Sequence, residues 1–333
     1  MKILVVGGAG YIGSHAVREL IKNNNEVVVI DNLETGHLNA IPHGVKFYKS
    51  DIRIKEELFN IFEKENFEGV MHFAANSLVG ESMVNPLKYY DNNLHGTQNL
   101  LHAMVEYNVN KIVFSSTAAT YGEPKEIPIT EQCETNPTNT YGETKLAIEK
   151  MLKWFSKAYD LHYVCLRYFN VAGADILGEI GEDHSPETHL IPIVLQVPLG
   201  KREAITVYGN DYDTEDGTCI RDYIHVTDLI NAHILAMNYL SKGNESSIFN
   251  LGSSKGYSVK EIITAAREVT GNEIPEIIGQ RRSGDPSILV ASSKKAEEIL
   301  GWKAKYTDVK DIISTAWNWH KNHPNGYGED NNE

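Results

Sequence analysis

Tyr141 and Lys145 stand four residues apart, so a helix running through them places a phenol and an amine on one face. A nearby ammonium favours the phenolate and draws a tyrosine down from its ordinary pKa of about 10. Tyr141 could then take a proton from an alcohol and return it. The spacing alone is common, since Tyr107/Lys111, Tyr121/Lys125 and Tyr306/Lys310 share it. Pro124 spoils the second of these as a helix, the first runs into an apolar strand-like segment, and the third lies near the C-terminus. Taken by itself, Tyr141 also fits a half-buried aromatic beside a solvated lysine. What sets it apart is the preceding strand-like run, which ends in Ser115-Ser116-Thr117. A hydroxyl at the carboxyl end of a parallel strand lies where open α/β sheets bind ligands, so Thr117 could position the reacting oxygen or relay its proton. An ordinary strand-end threonine is the plainer alternative.

A second constellation opens the chain. The apolar run Leu4-Val5-Val6 stops at glycines, and a helix-like segment from Ser14 to Lys22 follows. Gly8, Gly10 and Gly13 satisfy G-x-G-x-x-G, and Gly7, Gly10 and Gly13 satisfy G-x-x-G-x-x-G. Such spacing lets the backbone turn tightly and bring a pyrophosphate to a helix N-terminus. A second apolar run, Val27 to Ile30, ends in Asp31, eighteen residues after Gly13. An acid there can accept hydrogen bonds from adenosine ribose hydroxyls and repels a 2′-phosphate. Asn32 and Leu33 follow with no arginine, which favours NAD over NADP.

The elements that must hold these groups are legible as alternation. Strand-like runs at Ile3–Val6, Val27–Ile30, Val45–Tyr48, Gly69–Phe73, Lys111–Phe114 and Tyr163–Arg167 are separated by helix candidates, including Pro86–Tyr107 and Gly142–Tyr159. Nearly continuous apolar strands point to burial on both faces, and the alternation to right-handed βαβ units in a doubly wound parallel sheet of the Rossmann kind. Past about residue 170 the texture shifts to loops rich in Gly, Asp and Pro. Shorter strands are expected near Ile205–Tyr208 and Ile248–Leu251, with helices at Thr227–Leu240, Val259–Thr270 and Val309–His320. This reads as a nucleotide-binding domain over 1–170 and a smaller α/β substrate domain over 171–327, with some crossing between them. The polar end from Pro324, and residues 328–333 above all, is expected to fray.

Bulk properties narrow the partners. A chain of 333 residues can bury such a core, and a formal net charge of −14 argues against nucleic acid or an anionic membrane as the main partner. Cys133, Cys165 and Cys219 are too scattered for a metal cluster or a disulfide framework, which suits a reducing cytoplasm. The first apolar run is too short for a signal-peptide core and reads as a strand, and no run reaches membrane-spanning length.

Together, Gly7 to Gly13, Asp31, Phe73-Ala74-Ala75, Ser115-Ser116-Thr117 and Tyr141-x-x-x-Lys145 resemble the extended short-chain dehydrogenase/reductases. Val79-Gly80-Glu81-Ser82, Tyr89 to Asn93, Arg167 to Asn170, Tyr208 to Tyr212, Thr214 to Thr218 and Arg221 to His225 narrow the resemblance to the epimerases acting at C4 of UDP-hexoses. It extends from Met1 to about Tyr327. The resemblance implies tightly held NAD⁺ used as a recycled hydride carrier, with UDP-galactose and UDP-glucose interconverted through a 4-keto intermediate. Tyr141, Lys145 and Thr117 would be catalytic. Gly7, Gly10, Tyr11, Ile12, Gly13, Asp31 and Asn32 would bind the cofactor together with Asp51, Ile52, Phe73, Ala74, Ala75, Asn92 and Phe169. Asn170, His189, Leu190, Thr206, Val207, Tyr208, Arg221 and the stretch Arg282 to Asp285 would grip the nucleotide sugar. Two arginines suit a diphosphate, although each alone fits a surface ion pair.

Three departures matter. Thr117 stands where many such epimerases have serine, and Asn76-Ser77 replaces a common Leu-Lys. Leu289 falls at the position that gates bulky 2-acetamido sugars, which leaves UDP-N-acetylhexosamines as an alternative substrate class. A nucleotide-sugar 4,6-dehydratase would need an acid and a base after Thr117, where this chain has Ala118-Ala119. A net dehydrogenase with exchangeable NAD, or a redox-sensing binding protein, would share the cofactor motif. The latter usually lacks the Tyr and Lys present here. Leu87, Tyr90, Leu94, Leu101 and Met104/Val105 recur at helical spacing. Core packing explains most of that stripe, while the resemblance implies a homodimer formed by this helix and the one beginning near Tyr141.

Overall fold

The computed structural model describes residues 1–282 and 286–328. Its strands are β1 (Lys2–Val6), β2 (Glu26–Asp31), β3 (Lys46–Lys49), β4 (Gly69–His72), β5 (Lys111–Thr117), β6 (His162–Tyr168), β7 (Asn170–Ala172), β8 (Ile205–Tyr208), β9 (Ile220–His225), β10 (Ser247–Leu251), β11 (Gly256–Ser258), β12 (Glu276–Gly279) and β13 (Ile288–Leu289). Seven of them form one parallel sheet in the order β3-β2-β1-β4-β5-β6-β10. The strand order reverses between β1 and β4, which opens a crevice at their carboxyl ends.

The helices are α1 (Tyr11–Lys22), α2 (Lys55–Lys64), α3 (Val79–Val84), α4 (Pro86–Tyr89), α5 (Gly96–Glu106), α6 (Thr140–Tyr159), α7 (Leu190–Leu195), α8 (Val226–Ser241), α9 (Val259–Thr270), α10 (Lys294–Leu300) and α11 (Val309–Asn322). Alternation along β1 shows how they cover both faces. Ile3 and Val5 join a core with Ala16, Val17 and Leu20 of α1 and with Leu229 and Ile230 of α8. Leu4 and Val6 join the opposite core with Leu58 of α2, Leu100 and Met104 of α5 and Ile148 of α6. A third core packs α7, β8, α9 and α11 together. Beside it lie two small sheets, one in which β9 pairs with β7, β11 and β13, and one pairing β8 with β12. The main sheet thus draws on residues from both sides of 170, since α8, β10 and α10 return to it.

Two expectations are corrected. The helix expected over Pro86–Tyr107 runs continuously from Pro86 to Glu106 but changes register, because α4 passes into a π-helical stretch at Tyr90–His95 before α5 begins. The wider turn shifts the helix phase. Leu101 and Met104 therefore face the core, while Leu87 is 80 % exposed. The polar end does not fray as far as Gly328. Tyr327 stacks on His37 at 5.0 Å, its N–H donates to Asp183 Oδ2 at 2.9 Å, and its hydroxyl donates to Gly181 O at 3.1 Å. An amphipathic ring at the end of a polar stretch was enough to dock it.

Candidate active site

The floor of the crevice is built where β5 ends. Thr117 Oγ1 accepts from Ala119 N at 3.2 Å, which turns the chain into a short 3₁₀ turn at Ala118–Thr120. Asn139 caps α6, its side chain accepting from Gly142 N at 2.9 Å. Gly142 has to be a glycine: a Cβ there would lie 3.0 Å from Ala119 C and closer still to its oxygen. The first turn of α6 consequently presses against the 3₁₀ turn, and the Tyr141 phenol comes near enough to the Thr117 hydroxyl for that hydroxyl to oppose the rise in its pKa.

Lys145 lies one turn further on and is buried. Its Nζ donates to Ser115 O at 2.9 Å and sits 4.8 Å from the Phe114 ring centre and 5.9 Å from that of Tyr141. The shared face expected from the four-residue spacing is present, but the expected lowering of the tyrosine pKa is not. Burial pushes the Tyr141 phenol up to about 12 despite the nearby Thr117 hydroxyl. Burial likewise pulls the Lys145 amine down to about 7, against the pull of Cys165 and Glu149. Both charged forms lose solvation here, and the amine is held by a carbonyl rather than by the phenol.

Residues under this floor went unnoticed in the sequence as site groups. Ser115 Oγ lies 2.9 Å from His233 Nε2, while His233 packs against Phe73 with ring centres 4.8 Å apart and near Tyr168 at 6.3 Å. Glu149 and Arg167 form a buried fork, with Nε to Oε1 at 2.9 Å and Nη2 to Oε2 at 2.5 Å, and Ser116 Oγ donates to the same carboxylate at 2.5 Å. Glu149 is one turn beyond Lys145 and Arg167 pairs with Ser116 across β5 and β6. Helical spacing from Lys145 was the one signal available.

The glycine loop fits a dinucleotide by an observation of shape. Gly7 has φ +80°, and a Cβ on it would lie 2.7 Å from Ala74 Cα; one on Gly13 would lie 2.8 Å from Gly8 Cα. Gly10 caps α1 without a side-chain hydrogen bond, which leaves the N–H groups at Tyr11, Ile12 and Gly13 facing outward for an anion. Asp31 ends β2 beside them. Its Oδ2 accepts from Ala9 N at 2.9 Å and its Oδ1 from Leu33 N at 2.8 Å. Burial raises the Asp31 pKa, opposed by those two amides. Asn32 Nδ2 donates to Asp51 Oδ2 at 3.0 Å. Arg53 holds Asp51 through Nε at 2.9 Å and Nη2 at 2.5 Å, drawing that carboxyl down to about 2. An arginine therefore does reach the β2 end, from a segment the sequence left silent, but Asp51 occupies it.

The remaining cofactor candidates line the same edge. Phe73 N and Ala74 N donate to Val6 O at 2.8 and 3.1 Å, carrying the chain towards Ala75 directly in front of Gly7. Ile52 is buried under Gly96. Asn92 Nδ2 donates to Asn93 Oδ1 at 3.0 Å, and Asn93 in turn bonds the backbone of Asn76 and the Thr144 hydroxyl. The π-helical stretch thus supplies two buried amides at the crevice wall, and Asn93 was not singled out from sequence.

The candidate sugar-side residues fall on three supports. Asn170, Arg221 and Leu289 share the β9 sheet, with Asn170 opposite Tyr223 and Leu289 opposite Arg221. Phe169 precedes Asn170 at the end of β6. Thr206, Val207 and Tyr208 form β8, where the Val207 side chain is buried, and Arg282 lies 4.3 Å over the Tyr208 ring. Leu190 starts α7. His189, a candidate for the nucleotide sugar, precedes Leu190 at the cap of α7, and its Nδ1 lies 2.7 and 3.2 Å from oxygens of Glu182 and Glu187. Asp285 lies outside the described residues.

Comparison with known families settles the class, since a family model described as "NAD dependent epimerase/dehydratase family" matches residues 3–252. The chain belongs to this epimerase/dehydratase family. Among its relatives, the UDP-glucose 4-epimerase of Halalkalibacterium halodurans is 60 % identical over 333 residues, covering 100 % of this chain and 99 % of the relative. A crystal structure of a UDP-glucose 4-epimerase superposes with a TM-score of 0.97 at 60 % identity, covering 99 % of this chain and 100 % of the other. A second, from Bifidobacterium longum in complex with NAD⁺ and UDP, gives a TM-score of 0.92 at 40 % identity, with 98 % and 100 % covered. Family membership accounts for the glycine cradle and explains why Asp31 is kept ionisable in so dry a position.

One expected result follows for the cradle. Asp31→Ala removes the acceptor for ribose hydroxyls and the tie between Ala9 and Leu33. NAD affinity should fall roughly tenfold or more, and discrimination against NADP should relax. Titration showing unchanged affinity and selectivity would take Asp31 out of the cofactor site.

Proposed function

We propose that this chain is an NAD-dependent isomerase that interconverts UDP-galactose and UDP-glucose at C4 through a 4-keto sugar. The observation carrying this reading is the Thr117–Tyr141–Lys145 constellation behind a glycine cradle, in a chain 60 % identical over its full length to a UDP-glucose 4-epimerase. Bound NAD⁺ would supply the hydride acceptor and donor, with a positive ring charge beside the phenol. Gly7, Gly10, Gly13 and the first turn of α1 would hold its pyrophosphate, Asp31 its ribose, and Asp51 with Ile52 its adenine edge.

The chain's own chemistry is a proton held and returned. Tyr141 Oη accepts the proton of the sugar 4-hydroxyl, and Thr117 Oγ1 hydrogen-bonds the phenol and orients the reacting oxygen. Burial draws the Lys145 amine down to about 7, and in its protonated form it stabilises the Tyr141 phenolate that receives the sugar's proton. The proton returns from Tyr141 after the keto sugar has presented its other face, so the net redox change is zero. Arg221 and Arg282 bind the diphosphate, and Asn170, Tyr208 and the backbone around Leu190 the rest of the nucleotide sugar. Dehydration is disfavoured because Ala118 and Ala119, which follow Thr117, carry no titratable group and are folded into the 3₁₀ turn.

A homodimer is the assembly this reading calls for. Val84, Leu87 and Trp154 are 81, 80 and 65 % exposed, and the helices that carry them, α3, α4 and α6, pack beside one another. No helix among the described residues is long and apolar enough to cross a membrane. Cys133 and Cys165 form no disulfide, which supports a cytoplasmic setting.

The decisive experiment incubates purified protein with UDP-galactose and no added cofactor. UDP-glucose should form, tightly held nicotinamide should be released on denaturation, and the same preparation should sediment as a dimer. Absence of product even with NAD⁺ supplied would reject the activity.

A further inference from the structure

Between β7 and α7 the chain runs through a loop whose last residues adjoin the sugar-side backbone at Leu190, and four of its side chains converge in an arrangement the catalytic reading does not use. Glu182, His184, Glu187 and His189 bring one ligand atom each to within 4.8 Å of all the others. Carboxylates and imidazoles alternate around a ring. His184 Nδ1 is 3.2 Å from Glu182 Oε1 and 3.6 Å from Glu187 Oε2, and His189 Nδ1 is 2.7 Å from Glu182 Oε1 and 3.2 Å from Glu187 Oε1. Ligands about 2.0–2.1 Å from a tetrahedral ion stand about 3.3 Å from one another. The four nitrogen–oxygen distances, which draw on both oxygens of Glu187, bracket that figure, and since the four-atom set spans up to 4.8 Å an ion would draw its donors together.

Burial supplies an independent argument. Glu182 is only 3 % exposed, a position where a carboxylate needs a firm counter-charge. His184 Nδ1 is sealed from solvent and makes no hydrogen bond of normal geometry, although two carboxylates lie near it. A nitrogen aimed at the centre of the ring rather than at one oxygen has that geometry. The surroundings fix the donors as an outer shell would. Glu187 Oε1 accepts from the N–H groups of Thr188 and His189 at 2.6 and 2.7 Å, the backbone oxygen of Glu182 accepts from Trp319 Nε1 at 3.2 Å, and the Tyr11 ring stands edge-on to His184 at 6.3 Å.

We propose that Glu182, His184, Glu187 and His189 form a four-coordinate site for a divalent first-row cation, with Zn²⁺ the best match to two imidazoles and two carboxylates. Both imidazoles bind through Nδ1 as neutral rings, and any proton carried there is released on binding. With all four protein ligands engaged the site is structural. It ties the loop leading into α7, on the sugar side, to Tyr11 at the start of α1, on the cofactor side.

Zinc content tests this without reference to turnover. Tag-free protein is stripped with EDTA, incubated with Zn²⁺ and freed of loose metal by gel filtration before elemental analysis. Wild-type protein should retain about one zinc per chain and melt at a higher temperature with Zn²⁺ than with EDTA. His184→Ala and Glu187→Gln, each checked for folding by circular dichroism, should retain roughly tenfold less or lower and lose the melting response. Should one variant fail to fold, the other gives the same readout. Wild-type protein that retains no zinc overturns the proposal, and so does a folded variant that retains as much as wild type.

Discussion

Replacing Tyr141 with phenylalanine should lower turnover by roughly a hundred- to ten-thousand-fold while leaving a folded protein that still carries its nicotinamide. The ring stays, so packing at the start of α6 is kept; only the oxygen that meets Thr117 is lost. Lys145 cannot replace it, because its amine is committed to Ser115 O and lies against Phe114. Thr117 cannot either, since an aliphatic hydroxyl is far too weak an acid to hold the proton balance. Single-turnover and steady-state rates with UDP-galactose, set beside nicotinamide content, make the check. A fall of less than about tenfold would move the proton-transfer role away from Tyr141.

The largest loss of stability should come from Glu149→Ala. The change leaves the Arg167 guanidinium buried without its carboxylate and takes an acceptor from Ser116. Breaking one side of a buried ion pair costs about 3–5 kcal/mol, which urea titration would read as a large drop in the unfolding midpoint. The double variant Glu149→Leu with Arg167→Met should recover most of that loss, because removing both charges removes the unpaired one. If the single variant unfolds at the wild-type midpoint, the fork is not what holds α6 to β6. Recovery of stability without recovery of activity would show that the pair serves chiefly to set Lys145 beneath Tyr141.

Much of this architecture was legible from the residues because the central strands of the main sheet are covered on both faces. Runs such as Ile3 to Val6 have no polar alternation, and they matched the observed strands to within a few residues. The glycine loop was equally plain, since close approach to Ala74 leaves no alternative residue at Gly7. The π-helical stretch was not, because Tyr90 to His95 has no Gly or Pro to betray it and its hydrophobic spacing suits a regular α-helix. What escaped at the site were long-range pairings. His233 under Ser115 and Asn93 bonding Thr144 are set by the packing of separate elements, not by any local spacing. The electrostatics of Tyr141 and Lys145 were misjudged for a related reason: spacing gives proximity, but the depth of burial decides the sign of each shift.

One topological detail governs how substrate can come and go. The outermost strand of the large sheet, β10, is laid down only after the polypeptide has passed through β7, β8 and β9, so the two lobes are stitched together by several crossings. Such stitching forbids the wide clamshell swing of proteins whose lobes share a single connecting strand. A nucleotide sugar is therefore expected to come and go by local displacement of short segments rather than by a swing of whole lobes. A coenzyme trapped behind that stitching stays with the enzyme from one turnover to the next.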